Sequence, residues 1–189
     1  GAAVSPTLEQ RLQELPTRCY GTYGMTETVS HIALREINSE RKSPAYFALG
    51  KVSFSTDERG CLVINTPHLQ QQRFITNDIV QLVDTTHFEW LGRHDNVINS
   101  GGVKLFPESI EARIASFLSQ RFFITAEDDN RLGQKAVLVI ESLPWDEAEC
   151  QQLLSRLKSC LSPYEVPKNI YFQEHFTETY SGKIVRKIK

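Results

Sequence analysis

The chain has 189 residues, of which 40% are apolar, enough for one ordinary domain or two small ones. Its 21 basic and 23 acidic residues nearly cancel, to a net charge of -2, and no run of five like charges occurs. That balance argues against a nucleic-acid groove or an acidic tail, and apolar runs such as 136–140 are far short of a membrane span.

In chain order, Ser5-Pro6 reads as a helix opening, with a hydroxyl at the N-cap and proline in the first turn. Leu8, Leu12 and Leu15 follow at helical spacing, and Pro16 ends the pattern. Residues 17–20 suggest a short strand leading into a Gly-rich turn. From about Val52 to Leu91 short alternating segments (51–55, 61–65, 79–83, 88–91) are separated by turn residues, the grammar of a small antiparallel sheet or partial barrel. Beyond Arg93 the pattern changes. Val97-Ile98 leads to Ser100-Gly101-Gly102 and a strand over 103–106, and Pro107 starts a helix with Ile110, Ile114, Phe117 and Leu118 on one face. Strands are expected over 122–125 and 136–140, with Asp128 to Gly133 as the turn. Asp146 and Glu149 have capping-box spacing before a helix carrying Cys150, Leu153, Leu154, Leu157, Cys160 and Leu161, and 169–172 is a final strand. The fold class expected is therefore mixed, a sheet-rich α/β first part over 1–94 and a compact α+β unit over 95–189. The four cysteines (Cys19, Cys61, Cys150, Cys160) form no CxxC pair, and with no signal-peptide pattern a reducing, cytoplasmic setting is expected.

Three segments carry chemistry. In Tyr20-Gly-Thr-Tyr-Gly-Met-Thr-Glu-Thr28, glycines permit tight backbone, Tyr23 offers a flat face, and Thr26 and Glu27 place a hydroxyl beside a carboxylate. Such a loop could stack a base, bond a phosphate and hold Mg²⁺; a helix start at Thr26 is the plainer reading. In the second segment, Trp90 to Glu111, Gly101-Gly102 is a bend and Pro107-Glu108 a helix start. In the third, Thr179-Tyr-Ser-Gly-Lys-Ile-Val-Arg186, a Ser-Gly turn presents Lys183 to solvent.

Taken together these strings resemble the YGxTE, GRxDxxI…GxxxxPxxIE and P-x-T-x-SGK-x-x-R patterns of the adenylate-forming superfamily, which includes acyl–CoA synthetases, luciferases and peptide-synthetase adenylation domains. Phe74-Ile-Thr-Asn-Asp78 and Asp128 to Gly133 resemble two shorter elements, YxTGD and D-x-x-x-G, in the same order along the chain. The resemblance implies a nucleotide site in which Tyr23 and Gly24 lie against adenine, Thr26 contacts the α-phosphate, Glu27 binds magnesium, and Asp78 and Arg93 take the ribose hydroxyls. It implies that Asp95 is the hinge of a small lid domain, that Gly101 and Gly102 line the path of the CoA thiol, and that Lys183 bridges carboxylate and α-phosphate. Thr28, Ser30 and His31 would follow the loop into the acyl pocket, or sit on the surface of a helix. Residues 1–94 would be the C-terminal, barrel-like part of the large AMP-binding domain, and 95–189 the lid.

Two departures are visible: Asn77 stands where the family has glycine, and the proline before the Lys183 turn is missing, which should loosen it. Nothing resembling the family's phosphate loop precedes Tyr20, so the resemblance implies an upstream remainder of the large domain as partner, and little turnover from these residues alone. The GAAVS start, TYGMTETVSHIA and NSGG strings resemble the o-succinylbenzoate–CoA ligases of menaquinone biosynthesis in particular. The implied substrates are ATP with Mg²⁺, a small carboxylate and coenzyme A. The alternatives are another carboxylic acid, a peptide-synthetase-type adenylation domain, and a non-catalytic nucleotide-binding or interaction module.

Overall fold

The computed structural model describes residues 4, 6–40, 43–180 and 182–188; the expected Ser5 cap, residues 1–3 and Ser181 lie outside the described residues. The chain divides into two compact units, Gly1–His94 and Asp95–Lys189.

The first unit opens with α1 (Pro6–Gln13), tied by Glu9 to Arg35. Its leucines are at helical spacing, with Leu12 half-buried and Leu8 and Leu15 exposed. Seven strands follow: β1 (Tyr20–Gly24), β2 (His31–Glu36), β3 (Tyr46–Ala48), β4 (Ser53–Thr56), β5 (Cys61–Asn65), β6 (Arg73–Leu82) and β7 (His87–Arg93). They pair antiparallel in the order β1-β2-β3-β7-β6-β5-β4. The first strand is not 17–20. It is the glycine-bearing segment itself, because Tyr20 to Tyr23 pair in register with Glu36 to Ala33. Sequence reading also passed over β2 and β3, neither of which alternates cleanly between buried and exposed residues, and began β6 six residues too late. The strand path is open, from β1 at one edge to β4 at the other, yet the sheet curls strongly. Tyr23 on β1 packs edge-on against Phe88 on β7 with ring centroids 5.2 Å apart. Phe54, Phe88, Leu62, Ile64 and Ala33 fill the concave side.

The second unit begins with β8 (Ile98–Ser100) and β9 (Val103–Leu105), then α2 (Pro107–Ile114). This helix stops at Ile114 and tightens into a 3₁₀ turn over Ala115–Phe117 instead of running on to Leu118. β10 (Phe122–Asp129) and β11 (Gly133–Glu141) form a hairpin longer at both ends than alternation suggested, with its turn confined to residues 130–132. α3 (Glu147–Leu157) starts with the expected box: Glu149 N–H donates to Asp146 Oδ1 at 2.8 Å, and Asp146 N–H to Glu149 Oε2 at 3.0 Å. It ends before Cys160 and Leu161, which pack from the following turn. β12 (Ile170–Gln173) then pairs parallel with the end of β11. Residues 136–140 are buried without alternation because both sheet faces are covered. Ile110 and Ile114 of α2 with Leu153 and Leu157 of α3 cover Ile124, Leu138 and Ile140. On the other face Phe176, Ile184 and Ile188 cover Phe123 and Val139.

Candidate functional site

The curl of the first sheet brings together residues from three strands. Asp78 and Arg93 are opposed in register on β6 and β7, and Arg93 Nη1 donates to Asp78 Oδ1 at 3.4 Å. Tyr23 reaches in from β1 and donates its hydroxyl to Asp78 Oδ2 at 2.6 Å. Burial first, and then the charge of Asp78, push the Tyr23 phenol far above its ordinary range, so it remains a donor at any physiological pH. Asp78 is largely buried whereas the Arg93 side chain is about half exposed, at 15% and 46%. The carboxylate is thus preorganised and the guanidinium faces water.

Behind Asp78, its own N–H donates to Thr76 Oγ1 at 3.0 Å, and that hydroxyl donates to Leu62 O at 2.9 Å. Arg59 donates to Thr76 O and to Asn77 Oδ1, both at 3.2 Å. Asn77 needs no positive φ: it lies where β6 bulges against β5, between the Ile75 and Ile79 pairs, and gains a partner from the neighbouring turn. Sequence reasoning missed Arg59 and Thr76, since nothing local signals a contact across a strand pair.

The loop after β1 is tightly built. A side chain at Gly24 would bring its Cβ to 2.5 Å from Ser30 O, so this glycine is required by close approach of backbone. Thr26 and Glu27 lie exposed on a single 3₁₀ turn, Thr26–Thr28, in place of a full helix start. Thr28 is buried, and its hydroxyl serves Met25 and Ser30 backbone at 2.9 Å, so it acts as a latch within the loop. Val29 has φ 65 and ψ -39, and Ser30 N–H donates to Thr28 O at 2.7 Å across it. That is the rare γ-turn form, costly for a β-branched residue, here 82% exposed. Ser30 Oγ and His31 Nδ1 are 3.1 Å apart at the surface.

Among the described residues no group of three His, Cys, Asp or Glu side chains could hold a metal. The exposed Thr26-Glu27 pair offers one hydroxyl and one carboxylate, a sparse oxygen set that suits Mg²⁺ when phosphates and water supply the remaining ligands.

In the second unit Asp95 is exposed in the 3₁₀ turn His94–Asn96. Gly101 and Gly102, at φ +57 and +83, form the two-residue turn joining β8 to β9. A Cβ at Gly102 would meet nothing within 4 Å, so the backbone there faces open space. Lys183 is exposed at the end of a second reversal. Thr179 O accepts from Gly182 N–H at 2.9 Å and Thr179 N–H donates to Lys183 O at 2.8 Å. Lys183 N–H donates to Thr179 Oγ1 at 3.1 Å, and Gly182 supplies the left-handed residue at φ 76. These bonds close the turn without the family's proline. Three residues on, Arg186 donates to both oxygens of Glu111 on α2, 75 positions away in sequence. Burial lifts the Glu111 carboxyl above its usual range against the pull of Arg186.

Each unit thus contributes a recognisable part. The first holds an aromatic, a shared carboxylate and an exposed guanidinium beside a hydroxyl-carboxylate turn, which can bind a polyol and an anion with its counter-cation. The second presents a mobile-chain cation on a pinned reversal.

No family model matches the chain. In sequence it is 26% identical to a 2-succinylbenzoate–CoA ligase from Geobacillus sp. (strain WCH70), over 98% of this chain and 43% of that protein. Among solved structures, an acyl-CoA synthetase (AMP-forming)/AMP-acid ligase II-like protein from Dyadobacter fermentans is 42% identical, with TM-score 0.52, over 98% of this chain and 54% of that one. An o-succinylbenzoate CoA synthetase from Bacillus subtilis, in complex with its acyl-adenylate intermediate, has the same fold at TM-score 0.80 and 20% identity, over 98% and 44% of the two chains. The chain thus spans about half the length of the relatives it matches. The relatives and structural neighbours that it resembles are acyl-CoA synthetases of the adenylate-forming superfamily.

Proposed function

We propose that this chain is part of an ATP-dependent acyl–CoA ligase that first forms an acyl-adenylate and then a thioester. The observation that carries this reading is the Tyr23–Asp78–Arg93 constellation, a ready receptor for a nucleoside, built beside the exposed Thr26-Glu27 turn. Asp78 and Arg93 would bind the ribose hydroxyls, the carboxylate accepting and the guanidinium donating. The ring of Tyr23 and backbone at Gly24 would border adenine. Thr26 would bond the α-phosphate, and Glu27 would hold Mg²⁺, which supplies charge neutralisation on the phosphates.

The substrate carboxylate attacks the α-phosphorus and pyrophosphate leaves. Lys183, brought to the nucleotide by the second unit, would neutralise the charge that grows on the transferring group. Asp95 would be the pivot about which residues 95–189 turn as the lid of the large domain represented by 1–94, withdrawing Lys183 and presenting Gly101-Gly102 to coenzyme A. The thiol then attacks the acyl carbonyl and AMP departs. Ser30 and His31 would face the acyl group; Thr28 is better read as the latch that sets them. The cytoplasm, where ATP and CoA are abundant, is the proposed setting.

We take o-succinylbenzoate as the carboxylate, supported by the Geobacillus relative. A second reading, another carboxylic acid, is favoured by the Dyadobacter relative, whose name commits to no substrate. The test is pyrophosphate release from ATP by the protein containing this chain, with o-succinylbenzoate and a panel of fatty and aryl acids. A fatty or aryl acid turned over much faster than o-succinylbenzoate overturns the substrate assignment. Lys183→Ala should lower adenylation by about 10³-fold while sparing thioester formation from supplied acyl-adenylate. Equal loss of both half-reactions would sink the two-conformation account.

A further inference from the structure

We propose that Arg186, clamped by Glu111, is the positioning residue for Lys183. Arg186 Nη2 donates to Glu111 Oε2 at 2.8 Å, while Nη1 donates to the other oxygen of Glu111 and to Ile124 O at 3.0 Å. Glu111 Oε1 also accepts from Ile124 N–H at 2.6 Å. One guanidinium therefore ties the strand returning from the lysine reversal to both α2 and β10. Ile184, between Lys183 and Arg186, packs on the Phe123–Val139 face and bridges Glu178. The reversal is thus held at its base, where the Lys183 backbone is bonded to Thr179 and its side chain is exposed.

Stability alone is a poor reason for this arrangement. A second carboxylate, Glu108, lies 3.9 Å from Arg186, and its Oε2 is buried with no hydrogen-bond partner. Two acidic groups beside one mostly buried guanidinium is an expensive core, and apolar residues would serve folding as well. A bidentate fork, by contrast, sets direction as well as distance, which a lysine cannot reproduce. The demand it meets is the aim of the backbone three residues upstream.

This inference rests on the reading of Lys183 given above. The experiment compares Arg186→Lys and Glu111→Gln with Lys183→Ala in the protein containing this chain. Three quantities are read: adenylation, thioester formation from supplied acyl-adenylate, and amide hydrogen exchange at Thr179 and Lys183. In both clamp variants adenylation kcat should fall about 100-fold with KM for ATP little changed, because a misplaced group loses rate more than binding. Thioester formation should be retained, and the Thr179 and Lys183 amides should exchange faster while those of Val137 and Leu138 do not. Unchanged exchange at the reversal, or equal loss of both half-reactions, overturns the proposal. If Lys183→Ala leaves adenylation intact, the functional reading of that lysine fails, and the exchange data still decide whether Arg186 fixes the reversal.

Discussion

The two units hold their functional groups in opposite ways. In the first, Tyr23, Asp78 and Arg93 stand on strands, meet one another directly, and are backed by an aromatic floor of Phe54, Tyr46 and Phe88. In the second, Lys183 stands clear of its unit, and the order is supplied beneath it by Arg186, Glu111 and the covering of Phe123. A receptor gains from rigidity in the groups that touch its ligand, since ordering them beforehand removes that cost from binding. On the proposed reading, in which Lys183 would enter and leave the nucleotide site, a short arm with a rigid base suits that cation.

That contrast can be broken most strongly at the floor of the first unit. Phe88 is fully buried and touches Tyr23, Tyr46 and Phe54, so Phe88→Ala should cost about 3–5 kcal/mol of that unit's stability. Denaturant unfolding followed by amide exchange should show early opening at Leu62 and Ile64, with Leu138 and Ile140 unaffected. Simultaneous opening in both units would mean that the two organisations are not separate.

A smaller effect is expected at the shared carboxylate. Tyr23→Phe removes one charged hydrogen bond and should cost about 1.5–3 kcal/mol, together with weaker nucleotide binding. Its pH dependence has a definite sign. The folded phenol lies above its unfolded value of about 10, so the stabilisation is complete below pH 10 and is lost as pH rises further, when only the unfolded chain ionises. The wild-type first unit should therefore weaken steeply above pH 10 and the Phe variant less so, as read by urea midpoints across that range.

The smallest change expected is at Val29, where strain sits on an exposed residue. Val29→Gly should release about 1 kcal/mol, raising the urea midpoint slightly, because glycine tolerates positive φ and little buried surface is lost. A lower midpoint would mean that the γ-turn is supported by the valine side chain. Greater stability with weaker adenylation would instead tie the strained turn to function.

Much of this was legible from the chain alone where the signal is local. The Asp146–Glu149 box needs only a spacing of three residues, β5 shows as a short apolar run between turn residues, and α3 announces itself by helical period. The motif residues are likewise picked out by fixed spacing. What failed were readings that assumed one neighbour per segment. The Tyr20–Gly24 glycines looked like turn residues until β2 provided a partner, and residues 136–140 alternate only in which layer covers them. For Thr28 the sequence left both an acyl pocket and a helix surface open, and only the fold shows its buried hydroxyl bonded within its own loop.

By itself, then, the sequence determined the chemistry available: an aromatic, a hydroxyl-carboxylate pair, an Asp and an Arg 15 positions apart, a paired-glycine turn, and a lysine after Ser-Gly. Only the tertiary structure decided which of these meet. Tyr23 and Asp78 are 55 positions apart and touch because the sheet curls; Arg186 and Glu111 are 75 apart and touch because the chain's last segment folds back over α2 and β10. Sheet curvature and the closing of long loops are collective outcomes of burying two cores, and no local spacing encodes them.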